Sequence, residues 1–151
     1  DEVVGLSLLS TGNNYRLKRV LEKARNGEDI YAAALGGSVT EGAGASSNDK
    51  GYAYLFAEEF KAEYCADDGA NWHFVNAGLS GTPSTLGIIR YQKDVVELLG
   101  ADPDILIIEF AINDVGCFFT SRIFLSDRNI YFIIIFITCD IAYAILIFGI
   151  K

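Results

Sequence analysis

The chain has no methionine, one histidine, two prolines and three cysteines in 151 residues, and its 12 basic residues are outnumbered by 20 acidic ones. Each shortage excludes something. A net charge of −8 leaves no basic surplus to meet a phosphate backbone or an anionic bilayer, so no nucleic-acid or charged-membrane partner is expected. Three cysteines, an odd number spread far apart, form neither a disulfide framework nor a zinc-binding spacing. Without an initiator methionine the left edge is expected to be cut or processed. No charged segment followed by an apolar run opens the chain, so no signal peptide is expected in it. The length corresponds to about one domain, at roughly 100–200 residues each.

What is present is unevenly spread. Both prolines and every glycine but Gly149 lie in residues 1–116, which also carry the whole acidic excess. Residues 117–151 are dominated by Ile and Phe and carry few charges. The division is expected near Gly116, with residues 1–116 forming most of a domain and 117–151 an atypical hydrophobic tail.

Along the first part, apolar residues Tyr15, Leu17, Val20, Leu21 and Ala24 recur at helical spacing, after a run of capping side chains in Ser10–Asn14 and before Gly27. The apolar run Ile30–Leu35 predicts a buried strand ending in Gly36-Gly37. A helix over about 52–64, a strand over 72–77, a helix over about 85–99 and a strand over 105–110 follow. Helix–strand alternation of this kind predicts an α/β fold, a parallel sheet covered by helices on both faces. Strands that are apolar without alternation fit burial on both sides. Function in such sheets gathers outside the carboxyl ends of the strands. Three loops share that edge: 36–51, 78–84 and 111–116.

The first loop, GGSVTEGAGAS, follows a strand directly, which allows Ser38 to sit on a sharp turn with its hydroxyl at the sheet edge. A turn serine that merely caps the next element is the plainer alternative. Phosphate-binding patterns fail here. Gly37 and Gly42 have the Walker separation, but Ala43 stands where lysine is needed, and Ser47 stands where a dinucleotide loop needs its third glycine. The second and third loops, VNAGLSGTPS and EFAINDVG, offer a glycine amide and an asparagine side-chain amide. Placed beside an exposed serine, such donors stabilise the oxyanion of an acyl-transfer intermediate. Taken singly, Gly81 and Asn113 read as turn residues; on successive strand ends they form a constellation.

These three loops resemble the first three blocks of the SGNH hydrolases, the GDSL-type esterases and lipases, over roughly residues 12–116. GGSVTEG is similar to the nucleophile block, NAGLSGT to the second and AIND to the third, with Ala111 where many members have glycine. The resemblance implies a three-layer α/β/α sandwich with a flavodoxin-like parallel sheet. It implies Ser38 as nucleophile, and Gly81 and Asn113 as oxyanion-hole donors alongside the Ser38 amide. The substrate class implied is a small acyl ester, including acetyl esters of carbohydrates, with no metal or organic cofactor.

The family's later Asp-x-x-His block, which supplies the general base that a serine hydroxyl needs, has no counterpart in this sequence. His73 lies three residues before Asn76 on the second strand, about 10 Å from the catalytic edge at ~3.3 Å per residue. A structural role is expected for it rather than that of base, for Asp114 as a turn carboxylate rather than a triad member, and for Glu41 as a helix-start carboxylate, with lining of the pocket as its alternative. The tail coincides with the missing block. A transmembrane helix over 130–150 has the length, but Asp140 at mid-span costs about 2.5–3.5 kcal/mol. Two buried strands, 130–138 and 141–148, are a second reading. The preferred one is an out-of-frame translation, because Ile, Phe and Tyr have AT-rich codons. The expected function is thus a serine esterase of small acyl esters that is inactive as this fragment. The alternatives are a non-catalytic ester- or glycan-binding module and a membrane-anchored protein.

Overall fold

A computed structural model of the chain describes residues 14–66, 69–110 and 112–114, and the backbone of 132–137 and 142–145. Helix α1 (Tyr15–Arg25) leads to strand β1 (Ile30–Gly36), a single turn α2 (Ser38–Glu41), a 3₁₀ turn (Asn48–Lys50) and helix α3 (Tyr52–Tyr64). Strand β2 (Trp72–Gly78) and helix α4 (Ser84–Tyr91) follow, the latter continuing through a π-helical turn (Gln92–Val96) into α5 (Glu97–Leu99). Strands β3 (Ile105–Glu109), β4 (Phe132–Ile137) and β5 (Ala142–Ile145) complete the order. The sheet runs β2-β1-β3-β4-β5. Its first three neighbouring pairs are parallel, and β5 lies antiparallel to β4.

Alternation along β1 and β3 builds three layers. Ala33 and Leu35 join Leu106, Ile108, Phe110 and Val95 on one face, under Tyr91 and Leu99. Ala32, Ala34, Ile105 and Ile107 join Val20, Ala24, Ala53 and Phe60 on the other, under α1 and α3. Both strands are buried from end to end, β1 save for Tyr31. This is why their sequences read as unbroken apolar runs rather than alternating ones. Three consecutive alanines, Ala32 to Ala34, keep β1 slim where side chains pack on both of its faces.

The helix start at α1 differs from expectation. Asn14 occupies the N-cap position but makes no side-chain cap hydrogen bond, and the other members of the Ser10–Asn14 run lie outside the described residues. Gly27 does stop the helix, at φ +75°. The tail readings fall mostly outside the described residues. Of the proposed spanning segment 130–150, only 132–137 and 142–145 are described, and their backbone is strand. Among the described residues no helix is long and apolar enough to cross a membrane.

Candidate active site

The register sets the site. Gly36 of β1 lies opposite Gly78 of β2 and Glu109 of β3, so all three loops leave from one level at the carboxyl edge. Gly37, with φ −86° and ψ −150°, turns the chain out of β1, and α2 begins at Ser38. The first amides of any helix have no intrahelical acceptor, so the Ser38 N–H belongs to a set of donors free to face a ligand. The half-buried Ser38 side chain stands at the head of this turn. Gly42 ends the turn at φ +114°, and a Cβ there would meet the Asn48 backbone at 2.9 Å.

Asn113 approaches from the third loop. Its Nδ2 donates to the Thr82 carbonyl at 3.0 Å. A Cβ built on Gly37 would lie 2.3 Å from the same Nδ2, so the amide group rests directly on the residue preceding Ser38. An amide NH₂ has two donors; Thr82 uses one, and no hydrogen bond among the described residues takes the second. Gly81, one residue before Thr82, is exposed and holds φ +75°. The Thr82 hydroxyl donates to Leu79 O at 2.7 Å, closing that loop on itself. Ser38, Gly81 and Asn113 therefore sit on three segments in contact at one edge.

Two carboxylates lock the loops. Glu41 Oε2 accepts the Ser80 N–H at 2.8 Å and also the Ser80 hydroxyl, tying α2 to the Gly81 loop. Asp114 Oδ1 accepts the Ser84 N–H at 2.9 Å, at the start of α4. A negative charge there complements the helix dipole, so Asp114 has the turn-stabilising role expected of it. Asn76 adds a third tie, donating to Thr40 O at 2.8 Å and accepting from the Gly78 N–H at 2.9 Å.

His73 is at the other end of the molecule. It pairs with Asp29 at 2.9 Å and stacks on Tyr31 with ring centroids 4.7 Å apart. Gly78 lies five residue steps further along β2, about 16 Å of strand. The sequence estimate of about 10 Å was short because it counted to Asn76, whereas the strand continues to Gly78.

One feature below the site carried little sequence signal. Glu109, at 2% exposure, is buried at the end of β3, and the fully buried Thr40 donates to its Oε2 at 3.4 Å. The Thr40 hydroxyl lies 2.8 Å from the Tyr52 hydroxyl. Burial, reinforced by the Glu109 charge, pushes the Tyr52 phenol up to about 12. A carboxylate inside an otherwise apolar strand, Ile105–Phe110, was the available clue. Among the described residues no group of three or more His, Cys, Asp or Glu side chains is placed to hold a metal ion.

The sequence profile of the GDSL-like lipase/acylhydrolase family matches residues 34–130. The chain belongs to this family. The match starts inside β1, takes in all three loops and runs past the composition change at Gly116. Membership agrees with the SGNH-type fold, three parallel strands flanked by helices. Two crystal structures of a two-domain esterase active on acetylated mannans are similar to the chain. One is 32% identical over 83% of this chain and 34% of that one, with a TM-score of 0.70. The other, co-crystallised with mannopentaose, is 39% identical over 67% of this chain and 26% of that one, with a TM-score of 0.59. The chain thus spans only about a quarter to a third of the length of these solved structures. No curated protein matches it.

Proposed function

We propose that this chain carries the nucleophile and oxyanion-hole side of a serine esterase acting on small acyl esters, acetylated mannan-like carbohydrates being the best-supported class. The observation that carries the reading is the seating of the Asn113 amide on Gly37 and Thr82, which gathers a serine and two kinds of N–H donor at one strand edge. Family membership supports the reaction type. The similarity to an esterase active on acetylated mannans supports the acyl group and the sugar.

In this reading Ser38 Oγ attacks the ester carbonyl carbon while its proton passes to a general base. The carbonyl oxygen becomes an oxyanion held by the Ser38 N–H, the Gly81 N–H and the free Asn113 N–H. Collapse expels the alcohol, which takes up the proton, and leaves an acyl group on Ser38. Water then attacks the acyl carbon with the base receiving its proton, and Ser38 is regenerated. Each donor contributes about 10²–10³ in rate. His73 is not the base, being about 16 Å of strand away. The sequence holds no second histidine, so this chain by itself is expected to be a very weak hydrolase. We place a change of sequence character near Gly116, between an SGNH-type portion over 1–116 and a hydrophobic segment over 117–151 whose β4 and β5 extend the same sheet.

The absent base also favours a second reading, a module that binds the acylated sugar without cleaving it. One experiment separates the two: acetate release from p-nitrophenyl acetate and from acetylated mannan, with imidazole added as an external base, for the chain and for Ser38→Ala. Imidazole-dependent release that vanishes in Ser38→Ala is the expected result. Identical rates for both proteins, with retention of acetylated mannan, would establish the binding module instead.

A further inference from the structure

The cluster of half-buried Tyr52 with buried Thr40 and Glu109 takes no part in the steps above. It lies under the two glycines that lead into Ser38. A Cβ on Gly36 would come 1.9 Å from Thr40 Oγ1 and 2.4 Å from Glu109 O, so the Thr40 hydroxyl rests on the last residue of β1. The Gly37 N–H donates to that same Glu109 carbonyl at 3.1 Å. Glu109 therefore holds the turn twice, through its main chain at Gly37 and through its carboxylate at Thr40.

Proton counting gives the cluster a direction. A threonine hydroxyl has one hydrogen. Thr40 turns it toward Glu109, so we read the 2.8 Å contact with Tyr52 as a donation from the Tyr52 hydroxyl to Thr40. The order is Tyr52 to Thr40 to Glu109, and it joins α3, α2 and β3 beneath one turn. Thr40 and Glu109 are buried, and buried polar groups are costly unless paired, while paired they fix one geometry.

We propose that Tyr52, Thr40 and Glu109 are positioning residues that fix the first turn of α2, and with it the direction of the Ser38 hydroxyl and amide. This rests on the assignment of Ser38 as nucleophile. None of the three touches the substrate; each acts through the turn.

The test uses the whole chain and the variants Tyr52→Phe, Thr40→Val and Thr40→Ser, with thermal melting to verify that each folds. Amide hydrogen exchange is followed at Glu41 and Gly42, whose N–H groups bond Gly37 O and Ser38 O at 3.1 Å, and at Ile107 in β3 as a control. Loss of a buried hydrogen bond should speed exchange at Glu41 and Gly42 about tenfold in Tyr52→Phe and Thr40→Val. Ile107 should stay near its original rate, and Thr40→Ser, which keeps the hydroxyl, should restore slow exchange. In imidazole-supported hydrolysis, kcat should fall about 10- to 100-fold with KM nearly constant, as for a misplaced reacting group. Unchanged exchange at Glu41 and Gly42, or equal acceleration across the sheet, would overturn the proposal. A chain with no Ser38-dependent turnover would sink the esterase reading alone, because the exchange measurement still decides the positioning role.

Discussion

Gly37→Ala is the smallest change that tests how the three loops are joined. The backbone tolerates it: φ −86° and ψ −150° are open to any residue, so no strain term arises. The difficulty is contact. The new methyl carbon would lie 2.3 Å from Asn113 Nδ2, and reaching an ordinary contact distance requires the amide to retreat by roughly 1 Å. Retreat breaks the 3.0 Å bond to the Thr82 carbonyl, worth about 1 kcal/mol net. It also moves the second N–H away from any oxyanion bound beside Ser38. A displacement of about 1 Å at a catalytic donor typically costs about 10²-fold in rate. The expected phenotype is therefore lopsided: a modest fall in the melting temperature and a loss of nearly all imidazole-supported, Ser38-dependent hydrolysis of p-nitrophenyl acetate. Asn113→Ala should match it in rate. If Gly37→Ala hydrolyses the ester within about twofold of the unmodified chain, the amide is not an oxyanion donor and the reasoning fails at its first step.

Three further outcomes follow from the same geometry. Glu41→Ala removes the carboxylate that holds both donors of Ser80; the Gly81 loop should loosen and hydrolysis should fall about tenfold or more, with unaltered rates counting against a role for that loop. His73→Gln breaks an exposed hydrogen bond to Asp29, so stability should change by less than about 1 kcal/mol and hydrolysis not at all; a collapse of hydrolysis would return His73 to the list of candidate bases. Tyr52 gives a pH signature. Its folded value near 12 lies above the ~10 of an unfolded tyrosine, so its contribution is complete below about pH 10 and is lost above it, by up to about 1.4 kcal/mol per pH unit. Urea midpoints taken from about pH 9 to about pH 11.5 should fall less steeply in Tyr52→Phe than in the unmodified chain; parallel slopes would mean that Tyr52 is not buried as described.

The elements were readable in the sequence because a parallel α/β sheet writes itself plainly. Strands buried on both faces become apolar runs, and the small-residue loops that close them mark the strand ends. Ser38, Gly81 and Asn113, the proposed site residues, could be nominated for the same reason, since each lies within a few residues of such an end. What joins them was not. α2 has four residues, too few for any helical period to show, and the Glu41–Ser80 tie spans 39 residues between two unrelated loops. Asn113 reaching Gly37 depends on the register Gly36↔Glu109, which no single strand announces. Glu109 is the instructive case. A charged residue closing an apolar strand contradicts the burial pattern around it, and such local contradictions mark strained or functional positions more often than errors. Here it marks the floor of the site. The donors of the site come from chain segments that turn back at their own strand ends, so local sequence patterns find them. A histidine base is supplied by none of the three loops, 36–51, 78–84 and 111–116. It is the part of the site least tied to the three glycine-rich loops, and the one that loops alone cannot supply.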